Sequence, residues 1–321
     1  MLRIRLFGHF SLQHGSAGLE SLRFGKLAEL FCYLLLHRER THSREVLGAL
    51  LWGESTTTAQ SRKYLRQVFW QLNSVLDQES GRAAMLLVDR DSVRVNLESS
   101  TCLDVADFEQ AIVPIQSVPP SQLTEAQAQA LRNAVDLYRG DLLEGWYQEW
   151  CLIERERLQN LYLLALEKLM CYREEHREYQ DGLEMGERIL RLDRAHERTH
   201  QAMMRMYNFA GDRAQAIRQY QRCDLALREE LGVGPAKSTL ELLRHIRADQ
   251  TTLISTADEQ EPPVASELLL ANHIGKLVAH LRRVLLLLSK TEARIEQEIQ
   301  TLKKLQSEPC SPPAPRRANE R

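Results

Sequence analysis

Between residues 177 and 234 the chain repeats itself at an interval of 34 residues. With Arg177 set against Gly211, the residues Tyr179, Gly182, Leu183, Gly186 and Ile189 fall opposite Arg213, Ala216, Ile217, Tyr220 and Cys223. Small and large residues alternating at this period are the mark of stacked helix pairs, each burying its apolar face against the next. Two units are visible and the first is degenerate. In the second, Gly211 ends one helix, Asp212 caps the next with Gln215 completing a capping box, and Gly232-Val233-Gly234-Pro235 stops the chain.

This pattern makes the stretch from Asp104 to about residue 250 a helical, tetratricopeptide-like region. Pro114, Pro119 and Pro120 mark a loop. Thr124 with Gln127 opens a helix that ends at Gly140, and a long helix is expected from Glu149 to Glu175. Ahead of this region the pattern changes. Leu2, Ile4 and Leu6 alternate with Arg3, Arg5 and Phe7, and Phe10 and Leu12 follow a glycine, which predicts strands over residues 1–24. Leu27, Leu30, Phe31, Leu34 and Leu35 predict a helix over Lys26 to Arg38. A second helix, capped by Thr41 or Ser43, carries Val46, Leu47, Leu50 and Leu51 and stops at Trp52-Gly53. A third starts in Thr56-Thr57-Thr58, with Thr57 and Gln60 as a capping box, and runs to about Asp77. Met85 to Val88 and Ser92 to Val95, joined by Asp89-Arg90-Asp91, read as a hairpin.

The third helix is the candidate site. At 100° per residue, Leu65, Val68, Phe69, Leu72, Val75 and Leu76 share one face. Lys63, Arg66, Gln67, Trp70 and Ser74 lie opposite, with Arg62 and Asn73 at the border. An apolar stripe backed by basic and amide side chains suits the major groove, where Arg and Gln read base edges and Lys and Arg hold phosphate. A plain solvated face is the competing explanation. Trp70 is expected to pack beneath the hairpin, with contact to DNA sugar or a partner as the alternative, because an exposed Trp forfeits buried area. Arg90 at the hairpin tip and Arg94 on its second strand either reach DNA or sit on a solvent-facing turn.

Bulk properties exclude several classes. The net charge is −2, but residues 1–97 carry 13 Lys/Arg against 9 Asp/Glu, a modest basic bias compatible with phosphate contacts. The N-terminus lacks a signal-peptide core, and no apolar run approaches the roughly 18 residues needed to span a bilayer, the candidate Val284 to Leu288 being far too short, so a cytoplasmic protein without membrane contact is expected. Six scattered cysteines without a CxxC pair argue for reduced thiols. The stretch His196-Glu197-Arg198-Thr199-His200 spells HExxH, a zinc-protease pattern, but it lacks a third ligand and has polar flanks; it reads as an exposed helix start. Phosphate loops and GxSxG are absent. No enzyme activity, metal or cofactor is expected.

Residues 251–263 form a polar linker. In 264–306, Ile274, Leu277, Leu281, Val284, Leu288, Thr291, Ile295, Leu302 and Leu305 recur on steps of three and four, with Glu298 interrupting, which predicts a coiled-coil helix. Such a seam would form a homodimer, dock back or bind another protein. The Pro-rich tail 307–321 is expected to be disordered.

The first ~250 residues resemble the Streptomyces antibiotic regulatory protein family. The matching stretches, in order, are LRIRLFG, KLAELFCYLLL, REVLGALLWGE, AQSRKYLRQVFWQLNSVLD, DVADFEQAI, AVDLYRGDLLEGW with WCLIERERL, and GDRAQAIRQYQRCDLALREELGVGP. The resemblance implies a mainly α protein: an OmpR/PhoB-type winged helix-turn-helix over 1–97 and an all-α bacterial transcriptional activator domain over 98–250. It implies a transcriptional activator that binds direct-repeat sites in double-stranded DNA and contacts RNA polymerase. Recognition-helix roles pass to Arg62, Lys63, Arg66, Gln67 and Trp70. Where relatives tend to end the segment with Arg, this chain has Asn73, and the coiled coil is not general in the family. A scaffold with a degenerate winged helix is the alternative.

Overall fold

The computed structural model describes residues 2–14, 17–18, 25–53, 56–80, 85–96 and 101–248. The predicted linker, coiled coil and tail lie outside the described residues. The described chain is mainly helical, and among its residues no helix is long and apolar enough to cross a membrane.

Strand β1 (Leu2–Arg5) pairs antiparallel with β2 (Ser11–His14), which pairs with β3 (Ala17–Gly18). Helix α1 (Lys26–Leu36) follows, then the two-residue strand β4 (His42–Ser43), α2 (Arg44–Trp52) and α3 (Thr58–Ser80). Strands β5 (Leu86–Val88) and β6 (Ser92–Val95) form the expected hairpin, and β4 adds to its β6 edge. Strand β7 (Thr101–Leu103) runs parallel to β1 and closes the first sheet. Ser43 caps α2 by accepting from the Glu45 amide, and Thr57 and Gln60 bond reciprocally at the start of α3.

The helices that follow are α4 (Asp104–Ile112), α5 (Glu125–Leu137), α6 (Glu149–Glu175), α7 (Tyr179–Leu192), α8 (Glu197–Phe209), α9 (Arg213–Leu231) and α10 (Lys237–Arg247). The capping box of Thr124 and Gln127 is present, although α5 ends three residues before Gly140. Helices α7 and α9 start 34 residues apart, as the repeat requires. The two glycines of the degenerate unit allow α7 to approach α8: a Cβ at Gly182 would lie 2.6 Å from Sδ of Met206, and one at Gly186 2.7 Å from Sδ of Met203. Met204, Ala216, Leu243 and Ile246 make a separate small core among α8, α9 and α10.

The repeat also exposes a mismatch. Gly211 ends α8 with φ +83°, and its counterpart Arg177, just past α6, adopts φ +60°. A side chain in this left-handed region is strained, and glycine is not. Arg177→Gly should therefore stabilise the protein by about 0.5–1 kcal/mol after the added freedom of the unfolded chain is deducted. An unchanged urea midpoint would contradict this.

Residues up to Gln250 cluster into one compact unit, because the N-terminal sheet and the helical region share a core. Phe7, assigned to the polar side of the alternation, is instead buried: it bridges to Leu142 and packs on Phe108 and Tyr138 at ring distances of 5.0 and 4.8 Å. The loop between α5 and α6 adds itself to the end of β1. Leu143 donates to the Leu6 carbonyl (2.8 Å), Gly8 to that of Asp141 (2.9 Å) and Glu144 to that of Gly8 (2.9 Å). The guanidinium of Arg155 holds this loop through the carbonyls of Leu142, Leu143 and Trp146, at 2.9 to 3.0 Å. The stretches AVDLYRGDLLEGW and WCLIERERL are thus the loop and its clamp. On the other side of β1, the Asp104 carboxylate accepts from the amides of Leu6 (2.9 Å) and Phe7 (3.0 Å). The N-terminal part is thereby fixed against the helices rather than hung from a linker.

Candidate nucleic-acid interface

Helix α3 is held by one face and presents the other. Leu65, Val68, Phe69 and Leu72 are buried, as the helical period predicts. The approach to α2 is close because small residues meet there: a Cβ at Gly48 would touch that of Ser61 at 3.4 Å. On the outer face Arg62, Lys63, Arg66, Gln67 and Trp70 are exposed, and Asn73 at the border is partly buried. Trp70 corrects the expectation that it packs beneath the hairpin. Trp70 is 71% exposed, so no packing among the described residues accounts for an aromatic there.

The hairpin is set beside α3 by a residue the sequence reading passed over. The backbone amide of Arg44 donates to the Asp91 carbonyl (3.0 Å). Its guanidinium donates to the carbonyls of Asp89 (3.2 Å) and Arg90 (3.3 Å) and lies 5.5 Å from the Phe69 ring centre. One side chain thus ties the hairpin turn to both α2 and α3. The result is a groove of about 470 Å³ lined by Ser43, Arg44, Glu45, Arg62, Leu65, Arg66, Arg90 and Asp91. Arg62, Arg66 and Arg90 therefore meet in one place, although Arg90 lies far from the others in sequence. Lys63, Gln67 and Trp70 continue the same helix face. Arg94 is exposed on β6, across from Leu87, and does not line the groove. Arg62 is paired with Glu45, another residue not anticipated; Arg66 and Arg90 have no ionic partner among the described residues.

The HExxH segment is not an exposed helix start as expected. His200 is 2% exposed. Its Nε2–H donates to the Arg194 carbonyl (3.0 Å), and its Nδ1 accepts from the Gln219 amide (2.8 Å). Burial lowers its pKa, which keeps the ring neutral. Both ring nitrogens are thus engaged within the protein. His196 faces Glu167 (3.1 Å) and Thr199 (2.8 Å). Among the described residues no three His, Cys, Asp or Glu side chains gather as a metal site.

Residues 103–247 match the model of the bacterial transcriptional activator domain. No curated protein sequence matches the chain. Among solved structures, Mycobacterium tuberculosis EmbR in complex with a low-affinity phosphopeptide is similar, with a TM-score of 0.58 at 16% identity over 78% of this chain. The match spans 65% of the EmbR chain. At that identity the likeness concerns the fold. The matched domain is of a transcriptional-regulator type and not an enzyme type. The ordered motifs, the match over residues 103–247 and the shared fold agree, and that stretch of the chain is a bacterial transcriptional activator domain, as the SARP-like resemblance implies.

Proposed function

We propose that this chain is a sequence-specific activator that binds double-stranded promoter DNA. The winged-helix part, 1–97, reads the duplex, and the helical part, 98–250, contacts RNA polymerase. The observation that carries the reading is the outer face of α3: four polar or basic residues and a largely exposed Trp70 beside a basic groove, on a helix whose other face is locked in the core. In this reading Arg66 and Gln67 reach base edges. Lys63, Arg62 and Arg90 hold phosphate, Trp70 packs on sugar or a thymine methyl, and Asn73 and Arg94 lie at the margins. The site works in the cytoplasm, and family members' use of direct repeats suggests two copies side by side on one promoter.

The test is selection from a random duplex library by the full-length protein at two salt concentrations. An enriched motif, expected as a tandem repeat, identifies the operator. Arg66→Ala should then weaken operator binding by about 1–3 kcal/mol and relax preference at one base position. An absence of enrichment together with little binding at low salt would defeat the DNA reading. Full retention of affinity by Arg66→Ala would remove that residue from the site.

A further inference from the structure

The groove beside α3 contains an acid where a phosphate-binding surface would be expected to carry none. Glu45, in the first turn of α2, forms an ion pair with Arg62, and both side chains are well exposed, at 64% and 60%. Of the four arginines lining the groove, Arg44 is committed to the hairpin carbonyls and Arg62 to Glu45, which leaves Arg66 and Arg90 for a ligand. Asp91 adds a second carboxylate, but no ion pair ties it to an arginine of the groove.

We propose that Glu45 is an electrostatic latch on the DNA-reading surface: by holding Arg62 it suppresses attachment to duplex of arbitrary sequence. The inference rests on the DNA-binding reading above. Phosphates are the same at every sequence, so each arginine free to meet one adds to non-specific binding as much as to specific binding. A carboxylate paired to Arg62 removes one such contact and repels the backbone on approach. DNA that brings only phosphates must break the pair. A site that engages Arg66, Gln67 and Trp70 has base contacts to offset that loss. The latch therefore lowers non-specific affinity more than it lowers discrimination.

The test compares the full-length protein with Glu45→Gln, Asp91→Asn, Arg62→Ala and the double variant Glu45→Gln/Arg62→Ala, on a duplex of scrambled sequence over a range of salt. All three positions are on the surface, and a thermal melt checks folding. Glu45→Gln should bind roughly five- to tenfold more tightly at low salt. Its log–log salt slope should steepen by about 0.9, the value for one more neutralised phosphate. Asp91→Asn removes an equal charge without releasing Arg62 and should leave the slope unchanged. The double variant should fall back to Arg62→Ala. Equal affinity and slope for Glu45→Gln and the wild type would overturn the latch, as would Asp91→Asn reproducing both effects or the double variant keeping the gain. If no variant, nor the wild type, binds duplex even at low salt, the DNA reading itself fails and the latch with it.

Discussion

Phe108→Ala should cost about 3–5 kcal/mol and should weaken the N-terminal part and the helical part together. Deleting a buried Phe loses its transfer free energy and leaves a cavity, and Phe108 is fully buried on α4. What it touches gives the prediction its second half. Its ring meets Phe7, from the N-terminal sheet, at 5.0 Å, and Tyr138, from the end of α5, at 6.1 Å. Tyr138 in turn stacks on Tyr162 of α6 at 4.1 Å. The aromatic chain runs from the first sheet into the long helix, so one cavity sits between the two parts. Urea unfolding followed by tryptophan fluorescence and by circular dichroism should give coincident curves, both shifted. A typical domain has only about 5–15 kcal/mol in hand, so Phe108→Leu, costing about 1–2 kcal/mol, is the companion variant. Separated transitions, with the helical part unmoved, would show that the two parts fold independently in spite of their shared core.

Features set by local chemistry were legible in the sequence. The apolar face of α3 follows from the helical period, the starts of α3 and α5 from Thr57 with Gln60 and Thr124 with Gln127, and the span of α6 was read correctly from Glu149 to Glu175. Missed features depend on partners distant along the chain. Strands β4 and β7 are two and three residues long, too short for alternation to register, and exist because β6 and β1 lie alongside. Arg44 has no local signature; its role arises where the hairpin turn and Phe69 converge. His200 read as exposed because its sequence neighbours are polar, while its burial comes from Gln219 on the next helix. Trp70 failed in the opposite sense. The preference of Trp for burial is a rule about folding, and Trp70, which is 71% exposed, departs from it.

The second large effect concerns Asp104, and its size depends on pH. The carboxylate accepts from the buried amides of Leu6 and Phe7 and from that of Val105 at 2.8 Å. Burial pushes its pKa up to about 6, against these three amides and Arg5, which pull it down. A group raised in the folded state from about 3.9 in the unfolded chain contributes fully below the lower value and loses that contribution as pH rises through the higher one. Asp104→Ala deletes the acceptors and strands two buried N–H groups of β1's extension, a loss of about 3–5 kcal/mol near pH 4.5. At about pH 7.5 the wild type bears the ionisation of a buried carboxyl that the variant lacks. The difference between the two proteins should therefore shrink by about 2 kcal/mol across that interval. Paired urea titrations at both pH values cancel the contribution of every other ionisable group common to the two chains. A gap that widens with pH would mean that the amides outweigh burial and hold the carboxyl below its ordinary range. Asp104 would then be a charge that the N-terminal part requires in order to stay seated on the helices, and its protonation would loosen the support beneath α3.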